Sequence, residues 1–374
     1  MTSASVSSPQ PKEQVGSTLY LAADLGKSNC KYLWSEGVKT HSLWLAPNVY
    51  QGASDQSLKK FEVGGAITET LWIRMGDRNT LIGGSAMGFQ TSFAAPKVEI
   101  AALQIAGGMG AAAIQAGLTN YDAVIAATVP LNEFQYRNEI DSYLKQMAKD
   151  GILVRGVPHK FRLKTTFYPE GAGLYLLYRK MRNNHTPGRV IVLMLGHRNL
   201  SVLVFDDGEL NPNQSQTSDR LGFWHSFKPQ ADTNGVREID YSTLMDAITS
   251  GQYTQFSISR SKQLDYGTPA NAVIQDYLEN VGEFCKDHVL ALTKDKPSNI
   301  VLGGGVAHVL RMELKAYFEA AGQHDNIFFA DYFSNHLSAL ARNSDGAQKD
   351  GARTIRYADC YGIYQTVKPT GTSA

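Results

Sequence analysis

Cysteine is scarce in this 374-residue chain: Cys30, Cys285 and Cys360 are odd in number and show no C-x-x-C spacing. Reduced cytoplasmic thiols are therefore expected rather than a disulfide framework. A dominant charge is missing too. With 36 Lys and Arg against 35 Asp and Glu the net charge is +1, which gives no electrostatic case for direct binding to nucleic acid or another polyanion. Long hydrophobic runs are absent as well. The one uncharged stretch, Ala101 to Leu118, is broken by glycines and two glutamines, and reads as a tightly packed interior helix rather than a membrane span. The opening MTSASVSSPQPKEQVG has no apolar core, so it reads as a disordered tail and not a signal peptide. The closing TVKPTGTSA reads the same way.

Glycine, by contrast, is plentiful, at 34 residues within a composition that is 43% apolar, as expected for a well-filled α/β protein of two domains. The glycines punctuate strands. In LAADLGKSNCK, Leu21 to Lys31, Gly26-Lys27-Ser28 matches the tail of a P-loop, but the glycine required five residues earlier is Leu21. The next segment, Cys30 to Trp34, is apolar and aromatic, like a second strand and unlike a helix. The stretch therefore reads as a hairpin, with Asp24 at the tip of a buried strand and the backbone amides of a tight turn after it, able to face an anion.

The pattern returns near Arg189. RVIVLMLGHRNLSVLVFDDGEL is again strand, glycine turn, strand. Asp24-Leu25-Gly26-Lys27-Ser28-Asn29 lies against Met194-Leu195-Gly196-His197-Arg198-Asn199, with glycine and asparagine at equal offsets. A repeated domain would give this, and its consequence would be two phosphate-facing loops opposed across a cleft. A third glycine turn, Gly303-Gly304-Gly305, comes after the short strand Ile300 to Leu302 and precedes a helix whose apolar side is built with Val309, Leu310, Met312, Leu314 and Phe318. The turn is not part of a G-x-G-x-x-G, which disfavours a Rossmann site. Between the hairpins, Pro169 suits the first turn of a helix, with Glu170 beside it favoured by the helix dipole. Other elements expected are a strand from Ala123 to Ala127 and a helix from Asn132 to Lys149.

Taken in order, these pieces resemble a family. D-x-G-x-x-x-x-K at Asp24, Gly26 and Lys31, TVP at Thr128 to Pro130, PEGAG at Pro169 to Gly173, the hairpin at Gly196 and LGGG at Leu302 to Gly305 look like the actin-type ATPase fold. The chain is most similar to bacterial and plasmid actins of the ParM type. The resemblance implies an α/β, actin-like (ribonuclease H-like) duplicated two-domain fold with nucleotide in the interdomain cleft. It implies that Asp24 helps hold a hydrated Mg²⁺, that Gly26, Lys27, Ser28 and Asn29 give donors to the phosphates, and that Lys31 lies against the β-phosphate. Glu170 would orient the attacking water and Gly303, Gly304 and Gly305 would back the adenosine. One departure stands out: where the second phosphate motif begins with an aspartate, this chain has Met194, which can neither hold a metal-bound water nor polarise a nucleophile. Slow hydrolysis is expected from that loss, and His197, Arg198 and Asn199 are candidate phosphate contacts beside Gly196.

The expected organisation is a tail over 1–16, a first domain over 17–185 with an inserted subdomain at 48–97, a second domain over 186–344 with an insertion at about 208–267, and a return to the first domain with a tail over 345–374. The expected function is a cytoplasmic, nucleotide-dependent filament former using ATP, with GTP as the other candidate, and Mg²⁺. Its partners would be other copies of itself, head to tail, and a DNA-binding adaptor in plasmid segregation or a related cytoskeletal role. No membrane contact is expected. Two rivals are a monomeric kinase or phosphohydrolase of the same superfamily and a non-hydrolysing nucleotide-binding scaffold.

Overall fold

The computed structural model describes residues 17–26, 28–37, 39–62, 64–89, 97–185, 188–254, 256–259, 262–337 and 354–368. The expectations on Lys27, on the tail 1–16, and on 345–353 and 369–374 lie outside the described residues.

Two sheets organise the chain. The first contains β1 (Thr18–Leu25), β2 (Cys30–Ser35), β3 (His41–Leu45), β4 (Val49–Gln51), β5 (Trp72–Met75), β6 (Arg78–Ile82), β7 (Asn120–Val129), β8 (Ile152–Val154) and β9 (Val157–Pro169), in the order β3-β2-β1-β7-β9-β8-β5-β6-β4. β1 and β2 form the expected hairpin, Leu25 opposite Cys30, and β1 runs parallel to β7, with Asp24 level with Thr128. The second contains β10 (Arg189–Leu195), β11 (Leu200–Asp206), β12 (Glu209–Leu210), β13 (Gln216–Ser218), β16 (Ser298–Gly303) and β17 (Ile327–Phe329); β14 (Phe256–Ser259) and β15 (Lys262–Leu264) pair separately. Here too an antiparallel hairpin, β10 with β11, carries a parallel strand on its other side, β16, with β17 next to it.

Each sheet is packed on helices. Helix Lys97–Ala116 lies against the first sheet, and its Ala and Gly content is explained by how closely it approaches: a Cβ on Gly108 would sit 2.2 Å from the Tyr32 ring. The stretch is therefore core, as its broken hydropathy predicts, with Tyr32 Oη donating to the Gln104 carbonyl at 2.9 Å. On the second sheet, helices Phe223–Thr233, Tyr241–Ser250, Gly267–Cys285 and Arg311–Ala320 enclose a core with Phe227, Tyr277 and Phe318. The segment from β4 to β6 extends the first sheet at its edge and holds a small cluster of its own around Trp72 and Leu58. A third core joins the two halves. In it, helices Ala172–Met181 and Ala358–Val367 cross so tightly that a Cβ on Gly362 would lie 1.9 Å from the Gly173 carbonyl oxygen.

Several local expectations are corrected. Pro169 does not open a helix. It ends β9, opposite Val129, and the Glu170 amide still bonds the Val129 carbonyl at 2.9 Å, so the ladder runs one residue further. Gly171, at φ 98°, then turns the chain in a conformation that side chains resist, and the helix begins at Ala172. The helix expected from Asn132 begins only at Arg137, after a tighter turn over Leu131–Tyr136. The helix after the three glycines is broken at Leu310, and Met312, expected on its apolar side, is 70% exposed. The break resets the helical phase, which a single period read through the sequence misses.

Candidate functional site

Both hairpin turns open into one cavity of about 830 Å³, a size that suits a small-molecule ligand. The turns share a geometry as well as a pattern. The Cβ position of Gly26 lies 2.7 Å from the Asn29 carbonyl oxygen, and that of Gly196 lies 2.8 Å from the Asn199 carbonyl oxygen. Glycine is required twice for one reason: the turn folds its own asparagine carbonyl back over the first residue. The two asparagine side chains are fixed from outside, Asn29 by the Trp44 indole N–H at 2.8 Å and Asn199 by donating to Glu170 Oε2 at 3.2 Å.

Asp24, buried at the end of β1, is ion-paired with Lys31 directly across the hairpin, and Thr128 donates to its other oxygen at 3.4 Å. Burial pulls the Lys31 ammonium toward neutrality, but the charge and hydrogen bond of Asp24 outweigh it and the pKa is raised. Lys31 therefore stays a cation at the foot of the first turn. Glu170 lines the same cavity, beyond the end of β9, with Asn199 of the opposite half on its carboxylate.

Of the residues expected at the site, Asp24, Gly26, Ser28, Asn29, Lys31, Glu170, Gly196, His197, Arg198, Asn199, Gly304 and Gly305 line the cavity, and Lys27 is outside the described residues. Gly303 closes β16 and packs beneath the site: a Cβ there would meet Leu174 at 2.1 Å. Met194 also lines the cavity, and its side chain fills the space left by two glycines, 2.8 Å from the Cβ position of Gly171 and 3.1 Å from that of Gly303.

Asp359 and Arg356 escape the motif reading. Asp359 sits in helix Ala358–Val367 and accepts hydrogen bonds from the Gly171 amide at 2.8 Å and the Leu174 amide at 3.2 Å, so it caps the helix that begins just after Glu170. Burial first, then the negative charge of Asp24, pushes its carboxyl up to about 7 against those amides. A lone acid within an otherwise apolar helix was the available signal. Arg356 lies over the Trp44 ring at 4.9 Å and against the Gly305 turn. The wall opposite the turns comes from helix Tyr241–Ser250, through Met245 and Thr249, and from His308.

The Mg²⁺ expected at Asp24 finds a thin donor set. This cation takes hard oxygen ligands, yet one Asp24 oxygen is held by Lys31 and Met194 offers only a thioether. Among the described residues no three His, Cys, Asp or Glu side chains converge on a metal position. Without oxygens from a bound phosphate, the residues present do not fit a firmly held divalent cation.

No family model matches the chain, and no curated protein matches it. Solved structures do. The actin-like protein Alp7A matches at 12% identity, covering 94% of this chain and 96% of its own, with a TM-score of 0.67. A 15-stranded ParM filament from Clostridium botulinum matches at 14% identity over 94% and 99% with a TM-score of 0.62, and Bacillus thuringiensis ParM with ATP at 13% over 94% and 98% with a TM-score of 0.59. At these identities the likeness concerns fold, and it extends over nearly the full length of both partners. With its two hairpin-bearing sheets and the cavity between their turns, this chain has the actin-like fold of the ParM type.

Proposed function

We propose that this protein is a nucleotide-dependent, filament-forming actin-like ATPase whose substrate occupies the cavity between the two glycine turns. The observation that carries this reading is the paired geometry of those turns: two equivalent loops, one backed by the Asp24–Lys31 pair and the other tied to Glu170, face one cavity of nucleotide size. Neighbours in fold support it, since one is a ParM holding ATP and another a ParM filament.

In this reading the turn amides and Lys31 bind the phosphates, while Asp24 holds the Lys31 ammonium in place. Glu170, its carboxylate fixed by Asn199, orients a water for attack on the terminal phosphorus. The bond to the bridging oxygen breaks, ADP leaves with that oxygen's electron pair, and phosphate carries the oxygen of the water. Met194 removes a polar group from the second turn, so turnover is slow. Cleft closure around the triphosphate favours head-to-tail association into filaments in the cytoplasm, and release of phosphate weakens it. Plasmid or other DNA segregation through a DNA-binding adaptor is the role that fits, the adaptor supplying the nucleic-acid contact that a net charge of +1 does not.

The test is sedimentation of purified protein with ATP, GTP, ADP or no nucleotide, with phosphate release monitored in the same samples. Pelleting that depends on a triphosphate, accompanied by slow phosphate release, supports the reading. A protein that stays soluble in every condition refutes the filament, and phosphate release then separates a monomeric enzyme from a scaffold.

A further inference from the structure

The second turn carries an unusual balance of charge. Glu170 is engaged by Asn199, and Asp24 by Lys31. At the turn itself stand Met194, which is uncharged, and Arg198, which is not. The Arg198 guanidinium lies over the Trp224 ring at 4.7 Å, partly buried, and among the described residues no hydrogen bond or ion pair engages it. Its five donors are therefore held on an aromatic plate at the cavity wall without an acceptor among the described residues.

The backbone around it is arranged the same way. The first amides of helix Phe223–Thr233 take the turn's carbonyls, Phe223 bonding Gly196 at 3.2 Å and Trp224 bonding His197 at 2.9 Å. The amides of His197 and Arg198 find no acceptor among the described backbone groups. Gly222 lets the two segments meet, since a Cβ there would lie 2.1 Å from the Arg198 carbonyl carbon. Burial, then the charges of Arg198 and Arg356, pushes the His197 ring down to about 4, so it is neutral near pH 7 and adds no charge of its own. An uncompensated cation and open amides on one turn describe a receptor for a multiply charged anion.

We propose that Arg198 binds the terminal phosphate of a nucleoside triphosphate and supplies charge neutralisation that a divalent cation would otherwise provide, so that this site takes up triphosphate without metal and distinguishes it from diphosphate. The inference rests on the reading of the cavity as a nucleotide site. It stems from the poor fit of the same residues to Mg²⁺: a chain that places a thioether where a carboxylate would face the metal has less to attract the cation and more to attract the phosphate directly. Arg198 needs no rearrangement of the turn to do this, because Trp224 already supports its guanidinium.

The test measures ATP and ADP affinity of the full chain by calorimetry and Trp224 emission, in EDTA and in Mg²⁺. The wild type is expected to bind ATP in EDTA within roughly tenfold of its affinity in Mg²⁺. Arg198→Ala is expected to lose roughly 10- to 100-fold for ATP in EDTA, the range of a charge-assisted hydrogen bond, while ADP changes by about threefold or less. Arg198→Lys, which keeps the charge, recovers part of the loss, whereas Arg198→Gln does not; this pair carries the test if the alanine variant fails to fold by circular dichroism. Equal losses for ATP and ADP, or a wild type that binds ATP tightly in Mg²⁺ and not in EDTA, overturn the proposal while leaving the nucleotide site intact. Absence of ATP and ADP binding in both buffers overturns the nucleotide reading itself, and the proposal with it.

Discussion

The crossing of helices Ala172–Met181 and Ala358–Val367 offers a sharp perturbation, Gly362→Ala. The added methyl would lie 1.9 Å from the Gly173 carbonyl oxygen, against an ordinary contact of 3.4 Å or more, so the helices must separate by about 1.5 Å. The obstacle is backbone on one side and the helix's own Cα on the other, and no rotamer change relieves it. Overpacking of this kind costs about 3 kcal/mol at the upper end, offset by about 1 kcal/mol from the better helix propensity of alanine. The net loss is about 2 kcal/mol. At roughly 2.1 cal/mol/K of unfolding entropy per residue, that lowers the melting temperature of a chain this long by about 2–3 °C. Function should suffer more than stability. The same crossing holds Asp359 on the Gly171 and Leu174 amides, next to Glu170, and a displacement of an ångström at a reacting group can cost about 100-fold in rate. Differential scanning calorimetry and phosphate release, with Gly37→Ala as the control because nothing lies within 4 Å of its Cβ position, decide the matter. If Gly362→Ala matches the Gly37→Ala control in both assays, the helices do not meet at these glycines.

Three further outcomes are expected from the site and the core. Glu170→Gln keeps an acceptor for Asn199 but removes the charge, so phosphate release should fall roughly 100- to 10,000-fold with nucleotide binding retained; normal turnover would remove Glu170 from the chemistry. Met194→Asp replaces a side chain packed on Gly171 and Gly303 and should cost roughly 2–4 kcal/mol in urea unfolding, while making phosphate release faster and more dependent on Mg²⁺. No change in metal dependence would mean that the second turn has no part in holding the cation. His159 is buried, and neither ring nitrogen has a hydrogen-bond partner among the described residues. Burial pushes its pKa down to about 4 from 6.5, so the unfolded chain takes up the proton first. Stability is full above pH 6.5 and should decline by about 3 kcal/mol as pH falls to 4, and His159→Phe should flatten that slope; an unchanged slope would assign it to other groups.

The hairpins were legible because their information is local. Apolar strands, a glycine forced by a folded-back carbonyl and an asparagine at a fixed offset all lie within a short span of chain, and Asp24 and Lys31 face each other simply because β1 and β2 pair in register. Glu170 was legible by position in the chain, though its setting was not: Pro169 reads as a helix start until β7 is beside it to extend the ladder. The settings of Asp359 and Arg356 were beyond reach, since the Leu174 amide that Asp359 accepts from and the Trp44 ring beneath Arg356 lie 185 or more residues earlier in the chain. Met194 illustrates the middle case. Its identity was conspicuous, but that it fills a hole left by Gly171 and Gly303 depends on three separate segments meeting.

The helix Ala358–Val367 has one more consequence, for the order of assembly. All strands of the second sheet lie within residues 189–329, whereas the first half draws on this late helix: Cys360 Sγ contacts the Ala22 carbonyl at 3.6 Å and Tyr364 Oη donates to Ser35 at 2.7 Å. During synthesis the half that begins first must therefore wait, with part of its core uncovered, until more than three hundred further residues have been made, while the second sheet's strands and its helix-covered face are complete once residue 329 has been made. The N-terminal half, although translated first, is completed by the last described helix of the chain, and its uncovered core is a stretch of the nascent chain where protection from aggregation matters.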